Sequence, residues 1–213
     1  MQDPLGALIG KPWSNTLKIL KGNLKERHGS AAIPTYNCLM NKFINALFFQ
    51  LGWFVCVLSV SRNLEWPAIV FCLLLVLLHL FAHPLPQRSK DLQLMLLALP
   101  IGIAADSCVQ AFNIMGFYGW AIHFLSPFWL WMVWILFLLT LNHSLSFLKH
   151  IPMALTALLG LIFGTLSYIA GAKLGAASFD GDPVNLLIIA LQWSILLPSL
   201  VGISKWRGRI LMY

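Results

Sequence analysis

Four histidines are spaced so that they could bind a metal. His79 and His83 are four residues apart, and His143 and His150 are seven apart, so each pair lies on one face of a helix. Imidazole is a common ligand of zinc, copper, iron and nickel. Histidines in loops or at a membrane interface are the simpler interpretation, because the sequence has one HxxxH spacing and no adjacent histidine pair. A metal site is therefore the less favoured interpretation of these residues.

Asp106 is the only acid that lies deep inside an apolar segment. A carboxylate in hydrocarbon is costly unless it is paired, protonated or hydrated. Gln110 follows one helical turn later, and Asn113 extends the polar stripe. Lys173, near the end of another apolar segment, has a side chain long enough to reach inward. These four residues predict an intramembrane polar site with an Asp106–Lys173 contact. It is either a structural clamp or a site for a substrate, a proton or a lipid headgroup.

The elements that must position these residues are apolar helices. The 213 residues are 59% hydrophobic and 10% charged, whereas a soluble domain has about 25% charged residues. A bilayer core ~30 Å thick needs about 20 helical residues, and six continuous apolar segments have about that length. We therefore predict an all-α fold, a polytopic membrane bundle of six transmembrane helices. The segments are residues 43–60, 64–82, 92–113, 127–148, 152–173 and 184–203.

The basic residues predict how this bundle is oriented. Twelve of the 14 lysines and arginines lie before the first segment, in alternate gaps or after the last, and only Arg62 and Lys173 lie in the opposite gaps. Positively charged loops remain in the cytoplasm. We expect both termini in the cytoplasm and the protein in a bacterial inner (plasma) membrane. The charge of +7 is distributed between apolar segments, so we predict the lipid bilayer and no nucleic acid as a partner. The twelve residues are Lys11, Lys18, Lys21, Lys25, Arg27, Lys42, Arg88, Lys90, Lys149, Lys205, Arg207 and Arg209.

The first 39 residues differ from the rest, since they are polar, basic and interrupted by glycine and proline. Three interpretations stay open for them. They form a disordered cytoplasmic tail, a basic amphipathic helix on the inner leaflet, or an over-extended start that precedes a natural one at Met40. Residues 40–213 are predicted to form a single transmembrane helical domain.

Small residues recur along the fifth segment. Gly160, Gly164, Gly171 and Gly175 follow at steps that place them on one helical face, where they allow another helix to approach closely. Packing within the bundle is the favoured interpretation, and self-association or a substrate path are alternatives. Enzyme signatures such as GxSxG, HExxH and a phosphate-binding glycine loop are missing. We therefore lean against an enzyme and predict no cofactor.

Several local patterns together resemble a known family. They are the run from Asn45 to Phe54 (NALFFQLGWF), Gly102 with Asp106, Pro127-Phe128-Trp129-Leu130, and Gly164 to Gly175 around Ser167-Tyr168. As a set they resemble an uncharacterised family of small proteobacterial inner-membrane proteins, a domain of unknown function, from about Met40 to Ile203. The resemblance implies a multi-helix membrane fold. The family's genes often lie near lipid-modifying and light- or oxidative-stress genes, which implies a role in membrane-lipid maintenance. It supplies no established catalytic residues.

Three classes of function are compatible with these features. The first is a protein that handles a lipid or a small apolar molecule, as a transporter or an accessory factor, with a polar site at Asp106. The second is a membrane-embedded lipid-modifying enzyme that depends on a metal held by the histidines. The third is a non-catalytic subunit that binds a membrane protein partner through the glycine face.

Overall fold

A computed structural model describes the backbone of residues 32–210 and the side chains of residues 41–206. Most of the predicted tail, with its three interpretations, therefore lies outside the described residues. The chain divides into two compact units, Met1–Lys42 and Phe43–Tyr213. All contacts described below belong to the second unit.

The described residues form six helices, which confirms the predicted all-α fold. The second and fifth helices match their predicted apolar segments to within one residue at each end. The third helix begins before its segment, at residue 85, and the sixth ends after its segment, at residue 210. Five helices are long and apolar enough to cross a membrane, and the fourth is the exception. The chain is thus a multi-pass membrane protein. The helices are α1 (Ala32–Val60), α2 (Glu65–Ala82), α3 (Leu85–Ala111), α4 (Phe128–Asn142), α5 (Met153–Lys173) and α6 (Pro183–Ile210).

The outward-facing surface of the bundle agrees with a lipid environment. Large apolar side chains are exposed on several helices, for example Leu96 at 77%, Phe81 at 71% and Ile195 at 69%. Soluble proteins rarely expose apolar surface of this extent. Inside, buried residues form two apolar clusters, one contributed mainly by α3, α4 and α6 and the other mainly by α1, α2 and α4.

Helix α4 is shorter than the segment predicted over residues 127–148. Its 15 residues span about 22 Å at 1.5 Å per residue. The chain leaves the helix at His143 and forms a short 3₁₀ turn at Ser146–Lys149. Polar side chains explain this end, because Asn142 and His143 bond to Asp91, and the Ser144 backbone N–H and hydroxyl donate to Asn45. The hydropathy of the segment did not reveal these long-range partners.

The spacing of the four glycines of α5 predicted one shared packing face, but the structure does not place them on one face. A π-helical turn at Gly160–Gly164 interrupts the helix, and its wider turn rotates the residues that follow. Gly160 lies against the backbone of Trp193 on α6, and Gly164 against its ring. A Cβ added at Gly171 would meet no neighbouring atom within 4 Å, and Gly175 adopts a φ of +85° in the turn after the helix. Two of the four therefore pack against α6, and the other two have different roles.

The loops after α3 and α5 meet at one end of the bundle. Gly116–Phe117 (β1) pairs antiparallel with Ala177–Ser178 (β2). In the loop after α3, the backbone N–H of Trp120 donates to both carboxylate oxygens of buried Glu65, at 2.9 and 2.8 Å. The start of α2 and the two loops are thereby joined, which positions the neighbouring ends of α3 and α5.

Candidate functional site

A cavity of about 690 Å³ lies between α1, α4, α5 and α6. Small-molecule sites typically have volumes of ~300–1,000 Å³ and mostly apolar walls. The lining is aromatic or aliphatic over nearly its whole surface, with Trp53 and Phe54 from α1 and Phe163 and Leu166 from α5 as examples. Its polar side chains, tryptophans aside, are Gln50, Asp106, Ser167 and Tyr168.

Asp106 is clamped at the wall of this cavity by two donors from other helices. One carboxylate oxygen accepts the indole N–H of Trp134 on α4 at 2.7 Å, and the other accepts the hydroxyl of Tyr168 on α5. The carboxylate has no solvent exposure. Gly102, one turn earlier, provides the space for the Trp134 ring. The acid is thus sheltered by neighbouring helices, with hydrogen bonds to both of its oxygens.

The other residues of the predicted polar stripe do not join Asp106. Lys173 is exposed, and among the described residues it makes no ion pair with Asp106. The Asp106–Lys173 contact predicted from the sequence is therefore wrong, and the two carboxylate oxygens accept from Tyr168 and Trp134 instead. Asn113 is exposed just after α3 with a φ of +55°. The carbonyl oxygen of the Gln110 side chain is buried without a hydrogen-bond partner among the described residues.

The structure brings together three of the four predicted histidines. His79 and His83 lie at the end of α2, and His143 follows the last residue of α4. Their ring centroids are 4.3 to 4.5 Å apart in all three pairs. One ligand nitrogen from each ring lies within 4.8 Å of the others. His150 is exposed and is not part of this group. We call the three residues the histidine cluster.

Asp91, in the second turn of α3, contacts two residues of the histidine cluster. It is 1% exposed, and its Oδ2 lies 3.3 Å from Nε2 of His79 and 3.0 Å from Nε2 of His143. Its other oxygen accepts the Asn142 amide at 2.8 Å. The carbonyl of Asn142 in turn accepts from Lys149 at 2.7 Å and from Ser204 at 2.8 Å. This network joins the ends of α2 and α4, the start of α3 and the end of α6.

Lys149, which lies outside the spanning helices, is a basic member of this network. Its burial lowers the pKa of the ammonium group, while the charge of Asp91 opposes this effect and that of Lys90 adds to it. The lysine therefore holds its proton less firmly than a solvated lysine does. Its direct contact is with Asn142 and not with the carboxylate of Asp91.

Sequence reasoning missed Asp91, Asn142, Trp134 and Tyr168. Asp91 directly precedes the apolar segment predicted from residue 92, where hydropathy does not reveal that it is buried. Trp134 offered a signal, because tryptophan prefers the membrane interface and this one lies in the middle of a predicted segment. The hydrogen-bond partners of Asp106 are 28 and 62 residues distant in the chain, and no spacing rule connects residues that far apart.

The fold, with an apolar cavity between its helices, is that of a multi-pass α-helical membrane protein. Within that class, the chain belongs to the family described as protein of unknown function, DUF2878, whose model matches residues 42–199. The family resemblance predicted from the sequence is confirmed. No curated protein and no solved structure matches the chain.

Proposed function

We propose that this protein binds a lipid or a small apolar molecule in its cavity, as a transporter or an accessory factor. The observation that supports this most is the combination of 690 Å³ of space, a nearly continuous apolar lining and one buried carboxylate at its wall. An apolar chain fits such a lining because its burial releases water or lipid without leaving polar groups unpaired. A purely structural clamp at Asp106 does not require a cavity beside it.

The polar groups at the wall are directed mainly toward protein partners. Both oxygens of Asp106 accept protein hydrogen bonds, and the Ser167 hydroxyl donates to the backbone carbonyl of Gly164. The indole N–H of Trp193, which also lines the cavity, is buried beside the Tyr168 hydroxyl. The space that remains for a ligand is therefore bounded mainly by apolar side chains, and we propose an apolar chain or ring as the ligand.

Gly171 provides a test that separates binding from folding. A leucine at this position extends into the cavity, and its Cβ meets no atom within 4 Å. A Cβ added at Gly202 on α6 would also meet open space, but Gly202 does not line the cavity. Gly202→Leu is therefore the matched control. After purification in a mild detergent, native mass spectrometry counts the apolar molecules retained by each chain. We expect the wild type and Gly202→Leu to retain one, and Gly171→Leu to retain at least about tenfold less, equivalent to ~1.4 kcal/mol of binding free energy.

Two results would contradict the proposed function. In the first, all three proteins retain the same amount of the same molecule, which would indicate binding at the outer surface. In the second, the wild type retains nothing after extraction in any mild detergent. Solvent extraction of the retained material identifies its chemical class.

For the location we propose a bacterial inner membrane with both termini in the cytoplasm. The uneven distribution of lysine and arginine supports it, and so does the pairing of the loops after α3 and α5 at one end of the bundle. In this orientation the histidine cluster faces the cytoplasm and Asp106 lies in the outer half of α3. A reporter enzyme that works only in the cytoplasm is expected to be active when it is fused after Arg209. Activity of a periplasm-specific reporter at that position would contradict the orientation.

The alternatives differ in the support they receive. The subunit hypothesis requires a free glycine face on α5, but Gly160 and Gly164 already pack on Trp193 of the same chain. The hypothesis of a metal-dependent lipid-modifying enzyme draws on a different observation, the convergence of the three histidines.

A further inference from the structure

We propose that His79, His83 and His143 form a binding site for a divalent transition metal, for which Zn²⁺ is the probe. One nitrogen from each ring lies within 4.8 Å of the others. Zinc binds imidazole at ~2.0–2.1 Å, which puts ligand nitrogens about 3.3 Å apart in a tetrahedral site. Small side-chain rotations, moving each nitrogen by no more than about 1.5 Å, are therefore enough to close the site.

The hydrogen bonds around the rings are those that metal-binding histidines need. One nitrogen of His79 and one of His143 face the same oxygen of Asp91. Nδ1 of His83 donates to the backbone carbonyl of His79 at 2.8 Å. Metal-bound imidazoles commonly donate their second N–H to a carboxylate or a carbonyl, which fixes the ring orientation. Each of the three rings already has such a partner.

The charge balance of the network also favours a cation. Asp91 is a buried carboxylate, and a buried charge requires a partner of opposite sign. Lys149 donates to Asn142 instead of Asp91, and Arg88 donates to the backbone carbonyls of His83 and Phe81. A divalent cation held by the imidazoles would supply the missing positive charge. A proton on one histidine is the competing explanation, and the experiment below distinguishes the two.

Three protein ligands leave one coordination position open. Closed structural zinc sites have four protein ligands, whereas zinc sites with three keep a water or a substrate in the fourth position. The site is also distinct from the cavity, since neither Asp91 nor any of the three histidines lines it. Metal binding at the histidine cluster therefore does not depend on whether the cavity binds an apolar molecule.

The test measures zinc binding by the full chain, purified in detergent without a polyhistidine tag and stripped with a chelator. Calorimetry and elemental analysis are expected to give one Zn²⁺ per chain. His83→Ala removes the ligand that does not touch Asp91 and is expected to raise the Kd at least tenfold. Asp91→Asn keeps the shape but weakens the support of two ligands, and such changes typically cost about 10–100-fold in affinity. The matched control is His150→Ala, an exposed histidine outside the cluster, which should change the Kd less than about twofold.

A structural role without metal predicts different results. The proposal is overturned if the wild type binds no zinc, if His83→Ala binds as tightly as the wild type, or if His150→Ala weakens binding equally. His83→Asn provides a second variant that keeps a polar group at this half-buried position, in case the alanine variant does not fold. Zinc should also raise the melting temperature of the wild type but not of His83→Asn, because a ligand stabilises only the state that binds it.

Discussion

Replacement of Gly164 by leucine is expected to lower the free energy of unfolding by about 3 kcal/mol or more, at the upper end of the cost of overpacking. A Cβ at this position would overlap the ring and the Cβ of Trp193. That tryptophan has little room to move, because its ring stacks on Trp134 at a centroid distance of 5.4 Å and an angle of 11°. The added side chain must therefore separate α5 from α6.

Gly202→Leu is the matched control for this prediction, since it is the same substitution at a helical position with open space outside the cavity. In a detergent-based thermal unfolding assay, Gly164→Leu should melt roughly 6–12 °C below the wild type, at 2–4 °C per kcal/mol for a chain of this size. Gly202→Leu should melt close to the wild type. Equal melting temperatures for the two variants would mean that α5 does not pack on α6 through Gly164.

The second large effect is expected from the removal of the Asp106 carboxylate. Asp106→Ala leaves the Tyr168 hydroxyl and the Trp134 indole N–H buried without their acceptor. An unsatisfied buried donor costs about 1–3 kcal/mol, so the two together predict a loss of ~2–6 kcal/mol. Asp106→Asn keeps one acceptor for Trp134 and an amide that can donate to the oxygen of Tyr168, but the Tyr168 hydroxyl hydrogen loses its acceptor. The free energy of unfolding should therefore fall by about 1–3 kcal/mol, less than for alanine.

The same unfolding assay measures these variants, with Asp180→Ala as the control because that acid lies in an exposed loop. An alanine variant as stable as the wild type would show that the carboxylate is not held by these two donors. A comparison of retained apolar molecules in Asp106→Asn and the wild type then measures what the negative charge contributes to binding.

Local and periodic features of the fold were readable from the sequence. Continuous apolar runs predicted the helices because a chain in hydrocarbon must satisfy its backbone hydrogen bonds within each helix. The spacing of His79 and His83 predicted that they share a helical face. Hydropathy alone identified Asp106 as a carboxylate that needs polar partners inside the bundle. Each of these predictions depends on neighbours within a few turns of one helix.

The features that sequence could not predict depend on which helices meet. Trp134 and Tyr168 bond to Asp106 from two other helices. Asp91 likewise contacts His79 at the end of α2 and Asn142 and His143 at the end of α4. The early end of α4 has the same cause, since its last polar residues bond across to α3. The π-helical turn in α5 likewise redirects glycines that a regular helix would have kept on one face.

The most direct measurement of the central claim is the number of apolar molecules that remain bound per chain after repeated detergent exchange. The proposed cavity predicts one for the wild type and for Gly202→Leu, and nearly none for Gly171→Leu, with all three proteins folded. Equal retention by Gly171→Leu and Gly202→Leu would contradict it.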